Sequence, residues 1–147
     1  HVNLPVDGRL VTSVTEGPGW VIHDPARMAA DDPTAATLTA QGVELIEATS
    51  DPGGQLNAGS MLRALGARGI TRVFCEGGGA LAASLLQADL VDRLMGFTAG
   101  LMLGAEGRPS LGALGVSQLD EAPRFVLVET GRVGADVMHV WERRPTS

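Results

Sequence analysis

A run of three glycines between a strand-like and a helix-like segment constrains this chain more than any other stretch. Residues 72–88 read RVFCEGGGALAASLLQA. The β-branched and aromatic residues of Val73–Cys75 favour a buried strand, and Ala80–Ala88 consists of good helix formers without a charge. The first N–H groups of a helix lack intrahelical partners and lie at the positive end of its dipole. The glycines Gly77–Gly79 therefore predict an anion site, with pyrophosphate as the natural candidate.

Two interpretations of this turn stay open at the level of sequence. The spacing in Gly77–Ala82 satisfies the dinucleotide fingerprint G-x-G-x-x-A, but 20 glycines in the chain make one match weak. In a standard Rossmann domain the fingerprint opens the fold, and an acidic residue follows about 20 positions later. Here much of the chain precedes the turn, and the next strand candidate, Leu94–Thr98, ends without an acid. The alternative is a tight connection in which glycine only permits close packing.

Strand and helix patterns alternate before and after the glycine turn. The pair Asp32-Pro33 predicts a helix start, because aspartate caps a helix and proline suits its first position, and Asn57 predicts a second start. Gly131–Ala135 joins two alternating segments as an antiparallel hairpin. We expect one α/β domain, residues 1–147, with a mixed, mainly parallel sheet flanked by helices and a C-terminal antiparallel hairpin. The predicted strands are Trp20–His23, Val43–Ile46, Val73–Cys75, Arg93–Thr98, Arg124–Thr130 and Asp136–Glu142.

Charge and composition exclude several classes of partner. The net charge is −6, and no basic cluster exceeds Arg143-Arg144, so we expect neither nucleic-acid nor membrane binding. No apolar run reaches the roughly 18 residues of a membrane span and no leader pattern is seen, which favours a cytoplasmic protein. One cysteine permits no internal disulfide, and three scattered histidines form no metal motif, so no metal is expected. Cys75 is expected to be buried and unreactive.

Four polar residues are singled out by their places in the predicted strands. His23 and Asp24 end the first strand, where open α/β sheets bind ligands, although both could simply cap the strand and face water. Glu76 precedes the glycines, so its carboxylate could accept hydrogen bonds from a ligand beside the cofactor, or from backbone N–H groups that stabilise the turn. His139 lies within the last strand and is expected to be a packed residue rather than a catalyst.

Residues 72–104 read RVFCEGGGALAASLLQADLVDRLMGFTAGLMLG. This stretch resembles the C-terminal reductase domain of the bifunctional riboflavin-biosynthesis deaminase/reductase. That family shows an apolar strand, E-G-G, small-x-L-x-x-S-hydrophobic, L-V-D-E-L, and a strand ending near L-L-G. Here Arg93 replaces the usual acid, and Thr98-Ala99-Gly100 replaces Ala-Pro. The resemblance implies a dihydrofolate-reductase-like fold. It also implies NADPH-dependent reduction of 5-amino-6-(5-phosphoribosylamino)uracil, a phosphorylated aminopyrimidine, to the ribityl product.

The resemblance also implies which residues bind. Glu76 is similar in place to a substrate contact of the family, and no catalytic residue is assigned. The family's opening strand, with its substrate-binding Asp and Arg, would precede His1, so we expect the N-terminal strand or strands to be lacking. A deaminase domain in a longer parent chain is implied, and pairing through the hairpin predicts a homodimer. Cofactor contacts are implied for Gly77, Gly78, Gly79, Ala80, Leu81, Ala82, Ala83 and Ser84.

Two alternative functions stay open on the sequence. One is another dihydrofolate-reductase-like NAD(P)H reductase with a different substrate, which would share the glycine turn. The other is a nucleotide-binding or dimerisation module without catalysis. The sequence does not decide between NADPH and NADH.

Overall fold

The structure is a computed structural model that describes residues 17–29 and 31–144, together with residues 5, 7, 8, 11 and 14. The chain forms two compact units, His1–Val73 and Phe74–Ser147. Each unit has its own sheet: two parallel strands in the first and three antiparallel strands in the second. Among the described residues, no helix is long and apolar enough to span a bilayer.

The first unit alternates strands and helices as the sequence predicts. Strand β1 (Trp20–His23) pairs in parallel with β2 (Glu44–Glu47), and helix α1 (Pro33–Ala40) lies between them in the chain. Helix α2 (Ala58–Gly66) follows β2. Parallel strands need a crossover connection, and α1 provides it. The predicted parallel β-α-β order is confirmed in this unit.

Helices α1 and α2 begin at the residues that the sequence predicts. The Asp32 carboxylate accepts the backbone N–H groups of Thr34 and Ala35 at 2.9 and 3.2 Å. The Asn57 side chain accepts the backbone N–H of Ser60 at 2.8 Å. Each cap satisfies donors that have no partner within the helix, which contributes about 1 kcal/mol per helix start.

The hydrophobic core of the first unit joins α1 to the residues around β2. Leu38 of α1 and Ile46 of β2 have no exposed surface. Leu38 packs in one cluster with Val11 and Val43. Burying a leucine side chain of this kind stabilises the fold by about 1.5–3 kcal/mol, so this contact holds α1 in place beside the parallel pair.

In its described residues, the second unit contains one α-helix, two short 3-10 helices (Gly104–Glu106 and Leu119–Glu121) and an antiparallel sheet. Helix α3 (Gly79–Gln87) is followed by β3 (Arg93–Thr98), β4 (Phe125–Val133) and β5 (Asp136–Arg143). The strand order is β3-β5-β4, and β5 is antiparallel to both neighbours. The predicted C-terminal hairpin is therefore confirmed. With a parallel sheet in one unit and an antiparallel sheet in the other, the mixed α/β class is confirmed as well.

The hairpin is longer and less regular than its sequence pattern indicates. Its turn includes Gly134 in the left-handed region at φ +61°, where glycine is favoured. The pairing of β4 with β5 shifts register between Leu127 and Glu129, which marks a β-bulge at Val128.

The segment before the glycine turn is not a strand, and the prediction for Val73–Cys75 is wrong. These residues have no regular secondary structure, and the side chains of Val73 and Phe74 are 51% and 77% exposed. Cys75 is exposed as well, so the prediction of a buried thiol is also wrong. High β-propensity does not make a strand without a ladder partner, and within the described residues β1 pairs only with β2 and β3 only with β5.

Arg143 ties the connection between α3 and β3 to the end of β5. Its backbone N–H donates to the carbonyl of Asp92 at 2.9 Å, and its guanidinium donates twice to the carbonyl of Val91, at 2.9 and 2.7 Å. The guanidinium also forms an ion pair with Asp89. The C-terminal ends of α3 and β5 therefore lie at the same end of the second unit.

Candidate functional site

Helix α3 begins at the glycine turn with no side chain capping it. Gly78 is the N-cap residue, in extended backbone at φ −67° and ψ 169°, and no side-chain hydrogen bond is made at this cap. The first intrahelical bond runs from the Ala82 N–H to the Gly78 carbonyl at 3.2 Å. The N–H groups of Gly79, Ala80 and Leu81 therefore have no acceptor within the helix, and they carry the positive end of its dipole.

The three glycines of the turn have different surroundings. A Cβ atom added at Gly79 would lie 3.0 Å from the Ser110 carbonyl oxygen and 3.1 Å from the Gly112 nitrogen, so the backbone there leaves no room for a side chain. A Cβ atom at Gly77 would meet only the flexible side chain of Leu81, at 2.6 Å. A Cβ atom at Gly78 would meet nothing within 4 Å. The packing interpretation of the turn is therefore correct for Gly79, whereas packing gives no reason for glycine at Gly78.

A glycine-containing loop holds the start of α3 in place. The Gly112 N–H donates to the Gly79 carbonyl at 2.9 Å, and a Cβ atom at Gly112 would lie 3.4 Å from both the Ala80 Cα and the Ala83 Cβ atoms. At the other end of the helix, the Gln87 side chain donates to the Ala113 carbonyl at 3.2 Å. The sequence contains glycines in this loop but no sign of which helix they contact, so sequence reasoning does not find this support.

The last two residues of the predicted cofactor segment are buried or hydrogen-bonded within the structure. Ala83 is buried, with 4% of its surface exposed. The Ser84 hydroxyl donates to the Ala80 carbonyl at 3.0 Å, one turn back in α3. Only the first turn of the segment therefore offers hydrogen-bond donors without an acceptor in the helix.

Glu76 is exposed and lies directly before the glycines. In the part of the chain that the structure describes, no hydrogen bond or ion pair engages its carboxylate. The interpretation that Glu76 accepts backbone N–H groups to stabilise the turn is therefore not observed. Its carboxylate oxygens are available as acceptors for hydroxyl or amine groups of a ligand.

In the first unit, His23 and Asp24 lie at the end of β1, as predicted, but their surroundings differ. The Asp24 carboxylate accepts the Ala26 N–H at 2.9 Å and the Ser50 N–H at 3.0 Å. Hydrogen bonding from Ser50, and then from Ala26, lowers the pKa of Asp24 below its usual range. Asp24 therefore has the capping role that the sequence left open. His23 is buried at 9% exposure rather than facing water, and its Nδ1 atom has no hydrogen-bond partner among the residues that the structure describes.

His139 is part of a short hydrogen-bonded chain in the antiparallel sheet. The Trp141 indole N–H donates to His139 Nδ1 at 2.7 Å, so the ring proton of His139 must reside on Nε2. That atom is 3.3 Å from the Thr98 hydroxyl oxygen, which accepts from it. A Cβ atom at Gly96 would overlap the His139 ring, at 2.3 Å from Cε1. The prediction of a packed histidine is confirmed.

Within the described residues, no group of three or more His, Cys, Asp or Glu side chains is placed to bind a metal ion. The described polar groups at the turn are hydrogen-bond donors and one carboxylate. Together they suit an organic anion with polar substituents.

Comparison with known proteins identifies the family. Residues 3–139 match the family described as RibD C-terminal domain. The chain belongs to this family. The resemblance found in residues 72–104 is thereby confirmed. Over 84 residues, which are 57% of this chain and 23% of the relative, the RibD domain is 37% identical to the riboflavin biosynthesis protein RibD of Escherichia coli strain K12.

Solved structures show the same fold at lower identity. A pyrimidine reductase-like protein from Corynebacterium diphtheriae is 20% identical, with a TM-score of 0.76 over 97% of this RibD domain and 58% of that chain. A diaminohydroxyphosphoribosylaminopyrimidine deaminase/5-amino-6-(5-phosphoribosylamino)uracil reductase from Thermotoga maritima is 16% identical, with a TM-score of 0.55 over 93% of this domain and 41% of that chain. The chain thus spans less than two thirds of the length of each of these relatives. The reductase-like α/β fold is confirmed.

Proposed function

We propose that this RibD domain binds NADPH at the glycine turn and reduces 5-amino-6-(5-phosphoribosylamino)uracil to its ribityl product in riboflavin biosynthesis. The family match over residues 3–139 supports the reaction class. A Thermotoga maritima protein named for this deaminase/reductase activity has a similar fold. Turnover of this pyrimidine separates the proposal from its two rivals, which are a reductase with a different substrate and a nucleotide-binding or dimerisation module without catalysis.

The observation that carries the cofactor proposal is the open position of Gly78 at an uncapped helix start. A ligand phosphate at this place would meet no Cβ atom and could accept from the N–H groups of Gly79, Ala80 and Leu81. Backbone donors suit a chain of net charge −6, because they attract an anion locally without basic side chains. In this proposal Gly77–Ser84 forms the cofactor segment, with Ala83 and Ser84 supporting its first turn.

The role proposed for Glu76 is to hold the sugar or amine groups of the substrate beside the cofactor. Its carboxylate is exposed and has no hydrogen-bond partner among the described residues, so binding a substrate hydroxyl breaks no existing contact. NADPH, when bound, supplies the hydride. The chain's own contribution is then to keep two ligands at a fixed distance and orientation.

The experiment that tests the proposal measures binding and turnover separately on the chain as it stands. Calorimetric titration with NADPH, and with NADH for comparison, measures cofactor affinity. The fall in NADPH absorbance on adding the aminopyrimidine then measures turnover. Binding followed by turnover supports the reductase. NADPH binding without turnover of this pyrimidine favours the rival functions, and absence of NADPH binding contradicts the cofactor proposal.

A conservative variant tests the role of Glu76 within that experiment. Glu76→Gln keeps the size of the side chain and removes its charge. The KM for the aminopyrimidine should rise about tenfold, because a hydrogen bond to a charged acceptor contributes about 1.5–3 kcal/mol and one to the neutral amide only about 0.5–1.5 kcal/mol. The NADPH affinity should stay unchanged. An unchanged KM would remove Glu76 from the substrate site.

A homodimer formed through β4 is part of the proposal. In the described sheet β4 pairs only with β5, and the neighbouring side chains of Val126, Leu127 and Val128 are 41–49% exposed. An unpaired apolar edge strand favours pairing with a second copy. Light scattering should give twice the chain mass of 15.2 kDa, and Val128→Lys should lower it to the monomer mass. A monomer mass for the unsubstituted chain would contradict this.

Three finer points rest on the family and stay predictions. NADPH is expected to be preferred to NADH, which the paired titrations decide. A deaminase domain in a longer parent chain is expected from the bifunctional Thermotoga maritima relative, and sequencing the surrounding gene tests it. A cytoplasmic location is expected for this pathway, and cell fractionation tests it.

A further inference from the structure

A shallow cavity, widely open to solvent, lies where the antiparallel sheet meets the segment that leads into β4. Its volume is about 360 Å³, which is at the small end of the range for ligand pockets. Two of its lining residues are arginines, although the whole chain carries a net charge of −6. The cavity is lined by Leu119, Ala122, Pro123, Arg124, Phe125 and Arg144.

The two arginines of the cavity differ from their neighbours in having no carboxylate partner. Arg93 pairs with Glu142, and Arg143 pairs with Asp89. Across the described residues, neither Arg124 nor Arg144 forms a salt bridge. Two guanidinium groups without carboxylate partners offer several hydrogen-bond donors to an anion in the cavity, and guanidinium geometry suits a carboxylate or a phosphate.

The remaining lining of the cavity is apolar. Leu119 is 84% exposed, so its side chain is available to a ligand, and Phe125 is half-buried. Pro123 and Ala122 lie between them in the chain and offer no side-chain hydrogen-bond donor. An apolar wall beside two cationic groups selects a ligand with an anionic group at one end and an apolar body.

This cavity is separate from the glycine turn. It is lined by Phe125 at the start of β4 and by Arg144 just after β5, and the pairing of Phe125 with Arg143 places both at one end of the sheet. The contacts of Arg143 place the C-terminal end of α3 at that same end. The glycine turn begins α3, one helix length away, about 13 Å for nine residues.

We propose that this cavity is a second binding site, which takes a small organic anion with its carboxylate or phosphate between Arg124 and Arg144 and its apolar body against Leu119 and Phe125. The site is independent of the proposed reductase activity. It gives the domain a place for a small apolar acid that is not the cofactor.

The test uses 2-naphthoate as the probe, with 2-naphthalenemethanol as a neutral analogue and inorganic phosphate as an anion without an apolar body. Amide NMR spectra of the full chain follow the signals of Ala122 and Phe125. The naphthoate should shift them saturably. The neutral alcohol should bind up to about fivefold more weakly, since an exposed ion pair contributes up to about 1 kcal/mol, and phosphate should bind more weakly because it has no apolar body. Excess NADPH should leave naphthoate binding unchanged.

Variants make the test specific to the two arginines. Arg124→Gln and Arg144→Gln should each weaken naphthoate binding about fivefold. Arg132→Gln is the matched control: it removes the same charge, but Arg132 lies near the other end of β4 and its side chain donates to the Gly134 carbonyl, so binding should not change. Equal binding of the neutral analogue, or wild-type affinity in both cavity variants, would overturn the proposal. So would competition by NADPH.

Discussion

Replacing Gly78 with aspartate should strengthen the fold and weaken cofactor binding at the same time. Gly78 is the N-cap of α3, its φ of −67° suits any residue, and a Cβ atom there meets nothing within 4 Å. Aspartate is a better N-cap than glycine by a few tenths of a kcal/mol, and its charge at the helix start adds about 0.3–1 kcal/mol. The free energy of unfolding should therefore rise by about 0.5–1 kcal/mol, which corresponds to about 1–4 °C in Tm.

The same carboxylate opposes a bound phosphate. Two like charges about 4 Å apart repel by about 1 kcal/mol in bulk water and by about 4 kcal/mol at the effective dielectric near a protein surface. These limits correspond to roughly fivefold and roughly thousandfold weaker binding. Because Gly78 is exposed, we expect a loss between them, of about tenfold or more. Aspartate would also occupy, through its cap, an N–H group that the phosphate needs.

The assay pairs thermal unfolding with NADPH calorimetry on wild type, Gly78→Asp and Gly78→Asn. Asparagine caps a helix about as well as aspartate without a charge, so the difference between the two variants isolates electrostatics. An equal loss in both would assign the effect to side-chain size or to the N–H group that either cap occupies, rather than to charge. Wild-type affinity in Gly78→Asp would refute the argument, because a carboxylate cannot share this helix start with a pyrophosphate at no cost.

Three further outcomes are expected from the structure. Gly79→Ala should lower the free energy of unfolding by about 1–3 kcal/mol in a denaturant titration, because its Cβ atom would press on the backbone of residues 110–112; stability within error of wild type would contradict this contact. Asp24 has a lowered pKa in the folded state, so its contribution to stability is present above about pH 4 and is lost as the pH falls further. Wild type should accordingly lose more stability than Asp24→Asn in acid unfolding, and parallel pH profiles would rule this out. Cys75 is exposed, so its thiol should react with Ellman's reagent in the folded chain about as fast as in denaturant. Strong protection of the thiol in the folded chain would instead support the prediction that Val73–Cys75 is buried.

The features that the sequence predicted are those set by neighbouring residues. The caps at Asp32 and Asn57 depend on side chains that reach two or three residues along the chain, and both are predicted correctly. Strand β3 is predicted with its observed bounds, Arg93–Thr98, and the hairpin follows from alternation around a glycine turn. Local patterns suffice in these cases because the interactions that stabilise them are local.

The errors and omissions concern partners that are distant in the sequence. Val73–Cys75 has the composition of a strand, but a ladder needs a neighbour that no local pattern supplies. For the candidate site, the sequence located the glycine turn but could not separate the two uses of glycine, which are close packing and space for a ligand anion. That separation depends on Gly112, whose N–H bonds to the Gly79 carbonyl from a loop beyond β3. Gly78, by contrast, is distinguished only by the space around it.

The contact between Gly112 and Gly79 affects how sequence variation in this domain would be interpreted. A side chain at Gly112 would press on the Gly79 carbonyl at 3.2 Å and on the first turn of α3. A genetic screen scored by cofactor-dependent growth would then recover Gly112 substitutions beside those of Gly78. The two groups would look alike in such a screen, yet one would act by displacing the turn and the other by filling the space left for a ligand. Compensating changes for the first should arise within α3, and none should arise there for the second.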